Sequence, residues 1–158
     1  DDFFKLEDNA PKKIKYTDCT SADLNSKNKT ILSPINNLVG NINELNWKSV
    51  YKGFKEFDLP IQDKDKIKLI KMDAGTSVPL HSHNGKEYIL VIDGSFCDEY
   101  GEYVKGDLQI NDHNIKHHPT ACKDNGCICL SITESEVVFY GKFSPILNLF
   151  TFVKSFFK

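Results

Sequence analysis

The sequence predicts an all-β domain, a sandwich or barrel of short strands. Three observations predict it. From Trp47 onward, apolar and aromatic residues fall in short runs of strand length rather than in helical stripes. Turn signals separate those runs at close spacing: Asn84-Gly85, Asp93-Gly94, Tyr100-Gly101 and Lys105-Gly106-Asp107. With 158 residues, 40% of them hydrophobic and 27% charged, the chain suits one domain around one core.

Residues 1–32 are polar, rich in Asp, Asn, Lys and Ser, and show no periodicity. They are expected to form a loop or extended arm, with an arm over 1–34 and the β-domain over 35–158. Residues 33–46 (SPINNLVGNINELN) are expected to hold short helical turns, with Ser33-Pro34 as N-cap and first-turn pair. Val50 to Phe57 alternates loosely as a strand. In Lys66 to Asp73, Ile67 and Leu69 share one face while Ile70 and Met72 share the other. That phase switch predicts either a bulge or a strand covered on both sides. Tyr88 to Ile92 is a continuous apolar run, read as a buried strand ending at Asp93-Gly94. Phe96 to Tyr103 reads as a hairpin turning near Tyr100-Gly101. Leu108 to Ile110, Cys127 to Ile132 and Val137 to Tyr140 follow as strands. The tail from Phe143 to Phe157 carries five of the eleven phenylalanines and reads as core packing. Ser144-Pro145 begins a helix there, or leads into a strand or extended clamp.

Composition excludes several functions. Net charge is -2, and all twenty basic residues are lysine. Without arginine there is no bidentate contact to phosphate or to a guanine edge, so direct nucleic-acid binding is not expected. No apolar run has the length of a signal-peptide core or a membrane span. The five cysteines (Cys19, Cys97, Cys122, Cys127, Cys129) are odd in number and form no CxxC pair. They read as reduced thiols, and the chain as cytoplasmic. Because the first residue is Asp, the chain is expected to be a fragment or a processed product.

The chemistry concentrates between Gly75 and Gly94 (GTSVPLHSHNGKEYILVIDG). On a strand, His81 and His83 point to one face. Glu87 follows across Asn84-Gly85, so a hairpin would return its carboxylate beside the two imidazoles. A strict two-residue turn would pair His83 with Lys86 and turn Glu87 away. The metal reading therefore expects a three-residue loop or a bulge that sets His83 opposite Glu87.

The spacing Gly-x5-His-x-His-x3-Glu-x6-Gly, met at Gly75, His81, His83, Glu87 and Gly94, resembles the first motif of the cupin superfamily. Gly106 and His117 match the turn and histidine of the second motif. Asp112, Asn114 and Ala121 depart from its usual proline, glycine and asparagine. The resemblance implies a jelly-roll barrel, or double-stranded β-helix, with an irregular N-terminal extension. It also implies one divalent metal held by His81, His83, Glu87 and His117. Zinc, iron, manganese and nickel all suit three imidazoles and a carboxylate, with zinc favoured.

A second resemblance is sharper. Gly94 to Asp107 (GSFCDEYGEYVKGD), His117-His118-Pro119 and Gly126 to Leu130 (GCICL) are similar to the corresponding runs of the ChrR-type cupins, and Leu45 to Lys48 (LNWK) to their tryptophan lead-in. In that family the cupin is the C-terminal half of an anti-sigma factor. The resemblance thus implies a zinc-loaded sensor of oxidative stress that regulates transcription. The family grips its sigma factor through a helical domain with a His-x3-Cys-x2-Cys motif. Residues 1–32 hold no His and only Cys19, so a sigma factor would be reached only through a domain outside this chain. Single-domain relatives include ferrous dioxygenases acting on diketones, and that enzyme is the alternative. Barrels of this class pair through edge strands, so a homodimer is the expectation. Cys127 and Cys129 read as strand packing, Asp98, Glu99 and Glu102 as a solvated acidic turn, and Tyr88 and Tyr103 as barrel lining. His113 reads as a loop residue, and His118 as facing away from the ligands.

Overall fold

The computed structural model describes residues 11–14, 34–61, 65–142 and 144–148. Eleven strands are present among them: β1 (Lys12–Ile14), β2 (Lys48–Tyr51), β3 (Phe54–Asp58), β4 (Lys66–Met72), β5 (His81–His83), β6 (Glu87–Asp98), β7 (Gly101–Val104), β8 (Leu108–Asn111), β9 (Thr120–Ala121), β10 (Cys127–Thr133) and β11 (Val137–Phe139). Every pairing is antiparallel. The main layer runs β1-β8-β6-β10-β4-β3-β2. β7 and β9 pair with the second half of β6, and β5 pairs with β11 as a separate two-stranded sheet. This is the expected all-β, cupin-like architecture.

β4 resolves the phase switch. Its register with β10 runs from Lys66↔Thr133 to Met72↔Cys127 without a shift, so there is no bulge in it. The strand is covered on both sides. Met72, with Ile70 packed beside it, joins an inner cluster with Phe54, Ile89, Val91, Phe96, Tyr103, Cys127 and Cys129. Leu69 joins an outer cluster with Ile35, Ile42, Leu59 and Ile92, against which Ile67, Trp47 and Leu130 pack. The outer cover comes from the segment before β2, a helical turn over 34–39 and a 3-10 turn at Ile42–Glu44. The Trp47 indole anchors it by donating to the Ile42 carbonyl at 3.3 Å and meeting Phe57 edge-on. Short helical turns were thus legible in 33–46, while Ser33 lies outside the described residues.

β6 corrects the sequence reading. It does not end at Asp93-Gly94 but continues to Asp98. Opposite β10, Ile128 pairs with Asp93 and Cys129 with Val91, which leaves one residue of β6 extra. Such a bulge bends a strand and sharpens its twist. Glu87 to Leu90 pair with β8, whereas Ser95 to Asp98 pair with β7. One strand therefore serves both layers. At the corner, Gly94 adopts φ +71°, and a Cβ there would lie 2.1 Å from the Gly126 carbonyl oxygen. Only glycine tolerates both demands.

The β6–β7 hairpin turns through Glu99-Tyr100, between the paired Asp98 and Gly101. Lys12–Ile14, within the expected irregular arm, instead forms β1 and extends the main layer beside β8. The rest of the arm up to residue 33 lies outside the described residues, apart from residue 11. In the tail, residues 144–148 form a helical turn, and 149–158 lie outside the described residues. No helix among the described residues is long and apolar enough to cross a membrane.

Candidate metal centre

Four side chains converge from three separate elements. His81 and His83 come from β5, Glu87 opens β6, and His117 precedes β9. All four are buried, and one potential ligand atom from each lies within 4.8 Å of the other three. These are the four residues singled out in the sequence. His113 and His118 are exposed and take no part.

The expected hairpin geometry is not what brings them together. His83 pairs with Val137 of β11, and Glu87 pairs with Thr133 and Asn111, so His83 and Glu87 are not strand partners. Neither the three-residue loop nor the bulge forms. Residues 84–86 instead cross from one layer to the other. The crossing is held by Asn84 N–H to the Glu136 carbonyl at 3.4 Å and Lys86 N–H to the Glu134 carboxylate at 3.0 Å. Glu87 therefore faces the histidines across the barrel, with its Oε2 3.1 Å from His83 Nε2 and 3.6 Å from His117 Nε2.

Hydrogen bonds settle the tautomers of two imidazoles. His81 Nδ1 sits 2.9 Å from the Pro79 carbonyl oxygen, which only accepts, so Nδ1 carries the proton. His117 Nδ1 likewise donates to Asp98 Oδ2 at 3.2 Å. In the neutral rings both Nε2 atoms then present lone pairs, and they face each other at 3.0 Å. Burial and the neighbouring His117 push His81 down to about 3. His83 adds a second observation: it is buried, its Nδ1 has no hydrogen-bond partner, and its Nε2 faces only the Glu87 carboxylate, 3.1 Å away. Buried polar atoms without partners are rare in folded proteins. The residues present fit a divalent ion through three nitrogens and one oxygen.

Burial opposes ionisation of Glu87, but the surrounding imidazoles, His83 above all, outweigh it and hold the carboxyl at about 2. Asp98 is also held below its usual range, because donors from His117, Gln109 and the Tyr100 N–H outweigh its burial. This corrects the reading of Asp98 as part of a solvated turn, since its side chain is fully buried against His117. Gln109 and Asn111, also fully buried, were not singled out in the sequence. Their signal was the alternation Leu108-Gln109-Ile110-Asn111, which puts the two amides on one face. The inward face here is polar, and the amides occupy it. Tyr103 is buried and stacks on Phe96, as barrel lining should. Tyr88 points to the other face, being out of phase with the buried Glu87 and Ile89.

Beside the ligands opens a cavity of about 650 Å³. Its walls are largely apolar, including Phe54, Ile70, Met72, Val78, Ile89 and Phe96, and Cys129 also lines it. Burial and the bond to Cys127 push the Cys129 thiol well up, which suits packing rather than reactivity.

Comparison with known proteins agrees with this architecture. The chain is 32% identical over 116 residues to the anti-sigma-E factor ChrR of Cereibacter sphaeroides, covering 73% of this chain and 54% of that protein. It thus spans about half the length of that relative. The ChrR anti-sigma protein in the Rhodobacter sphaeroides SigE–ChrR complex superposes with a TM-score of 0.61 at 27% identity, over 76% of this chain and 70% of that one. An acetylacetone dioxygenase from Acinetobacter johnsonii shares the fold at 13% identity, with a TM-score of 0.56 over 66% of this chain and 78% of its own. The family model for the ChrR cupin-like domain matches residues 36–135, and the chain belongs to that family.

Proposed function

We propose that this chain is a zinc-binding sensor module of the ChrR anti-sigma type, responding to oxidative stress. The observation that carries this reading is the convergence of His81, His83, Glu87 and His117 within 4.8 Å from elements of different layers. Four protein ligands of this kind would suit a structural zinc. Bound there, the metal supplies a crosslink between layers. Apart from its pairing with β11, β5 meets the rest of the barrel through few main-chain bonds, chiefly the reciprocal pair between His81 and His117. Loss of one ligand would loosen β5 and β11 from β6, giving a local chemical event a route to the surface. The apolar cavity gives small oxidants access to the ligand shell. Contact with a sigma factor is stated of the relative, and for this chain it is part of the proposal.

Elemental analysis of the purified protein tests the reading. Near-stoichiometric zinc, lost in His81→Ala, is the expected result. Protein that takes up no zinc, or holds it unchanged in His81→Ala, would rule the reading out. The cavity favours one alternative, a small dioxygenase using ferrous iron on a diketone-like substrate. Oxygen uptake by iron-loaded protein with such substrates, absent in the zinc form, would decide for it.

A further inference from the structure

Behind the ligands runs a closed circuit of buried side chains. Asn111 Nδ2 donates to Glu87 Oε2 at 2.9 Å and to Gln109 Oε1 at 3.3 Å. Gln109 Nε2 donates to Asp98 Oδ2 at 2.7 Å, and the same oxygen accepts from His117 Nδ1 at 3.2 Å. The chain of contacts thus begins on one ligand and ends on another. Both amides are fully buried on one face of β8.

The direction of this circuit has one solution. Each end is a carboxylate, which only accepts when ionised. The amide group facing each carboxylate must therefore be the nitrogen. With Gln109 Nε2 on Asp98, Gln109 Oε1 is left to face Asn111, and Asn111 must donate to it. Asn111 spends both amide hydrogens this way, and its Oδ1 remains buried without a partner. Turning the amide over would set oxygen against oxygen at two contacts. The single orphaned acceptor is the smaller loss, since the flipped amide would set two oxygen pairs in repulsion.

We infer that Gln109, Asn111 and Asp98 are positioning residues for the metal centre, a hydrogen-bond relay in which Asn111 donates to both sides and Asp98 accepts from both sides, fixing the Glu87 carboxylate and the His117 tautomer together. The relay keeps His117 Nδ1 protonated and so presents Nε2 as the ligand atom. It also holds Glu87 Oε2 on the side facing His83 and His117. Glu87 and Asp98 bring two buried carboxylates to the cluster, the charge that a divalent cation would balance.

The inference rests on the proposed metal site, and cobalt(II) separates the two. Affinity is measured by competition with a chromophoric chelator, and ligand geometry by the visible d–d bands, in wild type, Asn111→Leu and Asp98→Asn. Asn111→Leu removes both donations. Asp98→Asn keeps the shape but sets an amide nitrogen or a weaker acceptor against Gln109 and His117. Each variant is expected to weaken cobalt binding about 10–100-fold and to shift the bands. The metal-free circular dichroism spectrum should match wild type, which a merely structural role would not give. Wild type that binds no cobalt overturns the metal site itself. Wild-type binding matched by both variants, with unchanged bands, overturns the relay alone. If one variant fails to fold, the other decides.

Discussion

His81 and His117 meet twice. Their backbones exchange two hydrogen bonds of 3.0 Å, and their Nε2 atoms face each other at 3.0 Å. The main-chain pair keeps the two side chains adjacent, so the two nitrogens stay close unless a ring leaves its rotamer.

Metal removal should therefore destabilise the fold. A ligand held at about a thousand times its Kd stabilises by about 4 kcal/mol. For a domain of this size each kcal/mol moves Tm by about 2–4 °C. Chelation is expected to lower Tm by roughly 10 °C, measured by calorimetry with and without a strong chelator. Equal Tm values would count against the metal centre.

The metal-free protein should lose stability in acid over a defined window. His81 stays neutral until about 3 in the folded state, against an ordinary value of 6.5. Between those values the unfolded chain binds more protons, so stability falls as pH drops from 6.5 towards 3. Glu87 has the same sign. Its folded value of about 2 lies below the ordinary 4.5, so its stabilisation is present above 4.5 and is lost as pH falls towards 2. Urea midpoints between pH 8 and 3 should be flat near the top and decline below about 6.5. Glu87→Gln should remove the lowest part of that decline.

Gly94→Ala should cost about 3 kcal/mol or more. The residue would enter a left-handed conformation with its Cβ 2.1 Å from the Gly126 carbonyl oxygen, a contact that requires the backbone to move. Urea denaturation measures the loss. Gly40 also has positive φ, but an added Cβ there meets nothing within 4 Å. Gly40→Ala should cost less, about 1–2 kcal/mol.

Leu69→Ala separates folding from the site. Leu69 is fully buried on the outer face of β4, away from the ligands on the inner face. The expected loss of stability is about 2–5 kcal/mol, with metal affinity unchanged. A parallel loss of affinity would show that the two faces of the main layer are coupled.

Much of this was legible in the sequence, for identifiable reasons. The residues of the cluster could be read because His81, His83 and Glu87 sit at fixed spacing between two glycines, and His117 follows a third. The apolar phase switch in β4 narrowed it to a bulge or a two-sided strand, and the unbroken register with β10 chose the second. The path by which Glu87 reaches the histidines was not legible. Asn84-Gly85 has hairpin chemistry, and only the pairing of β5 with β11 shows that the chain crosses layers there. Asp98 was misread because a local acidic run carries no sign of which carboxylate turns inward. Gln109 and Asn111 were missed because alternation assigns polar residues to water, and this interior face is the exception.

The bend in β6 has a geometric consequence. Glu87 opens that strand and Asp98 closes it, eleven residue steps later. Drawn straight, those steps would span about 36 Å. Yet the two carboxylates reach the two nitrogens of the His117 ring, at 3.6 Å and 3.2 Å. β6 is thus curled like a calliper, with its jaws on opposite edges of one imidazole. Inserting or deleting a residue anywhere along the arc would take one jaw off the ring, even far from any ligand. Tight metal binding would then report that the barrel has closed to its full curvature.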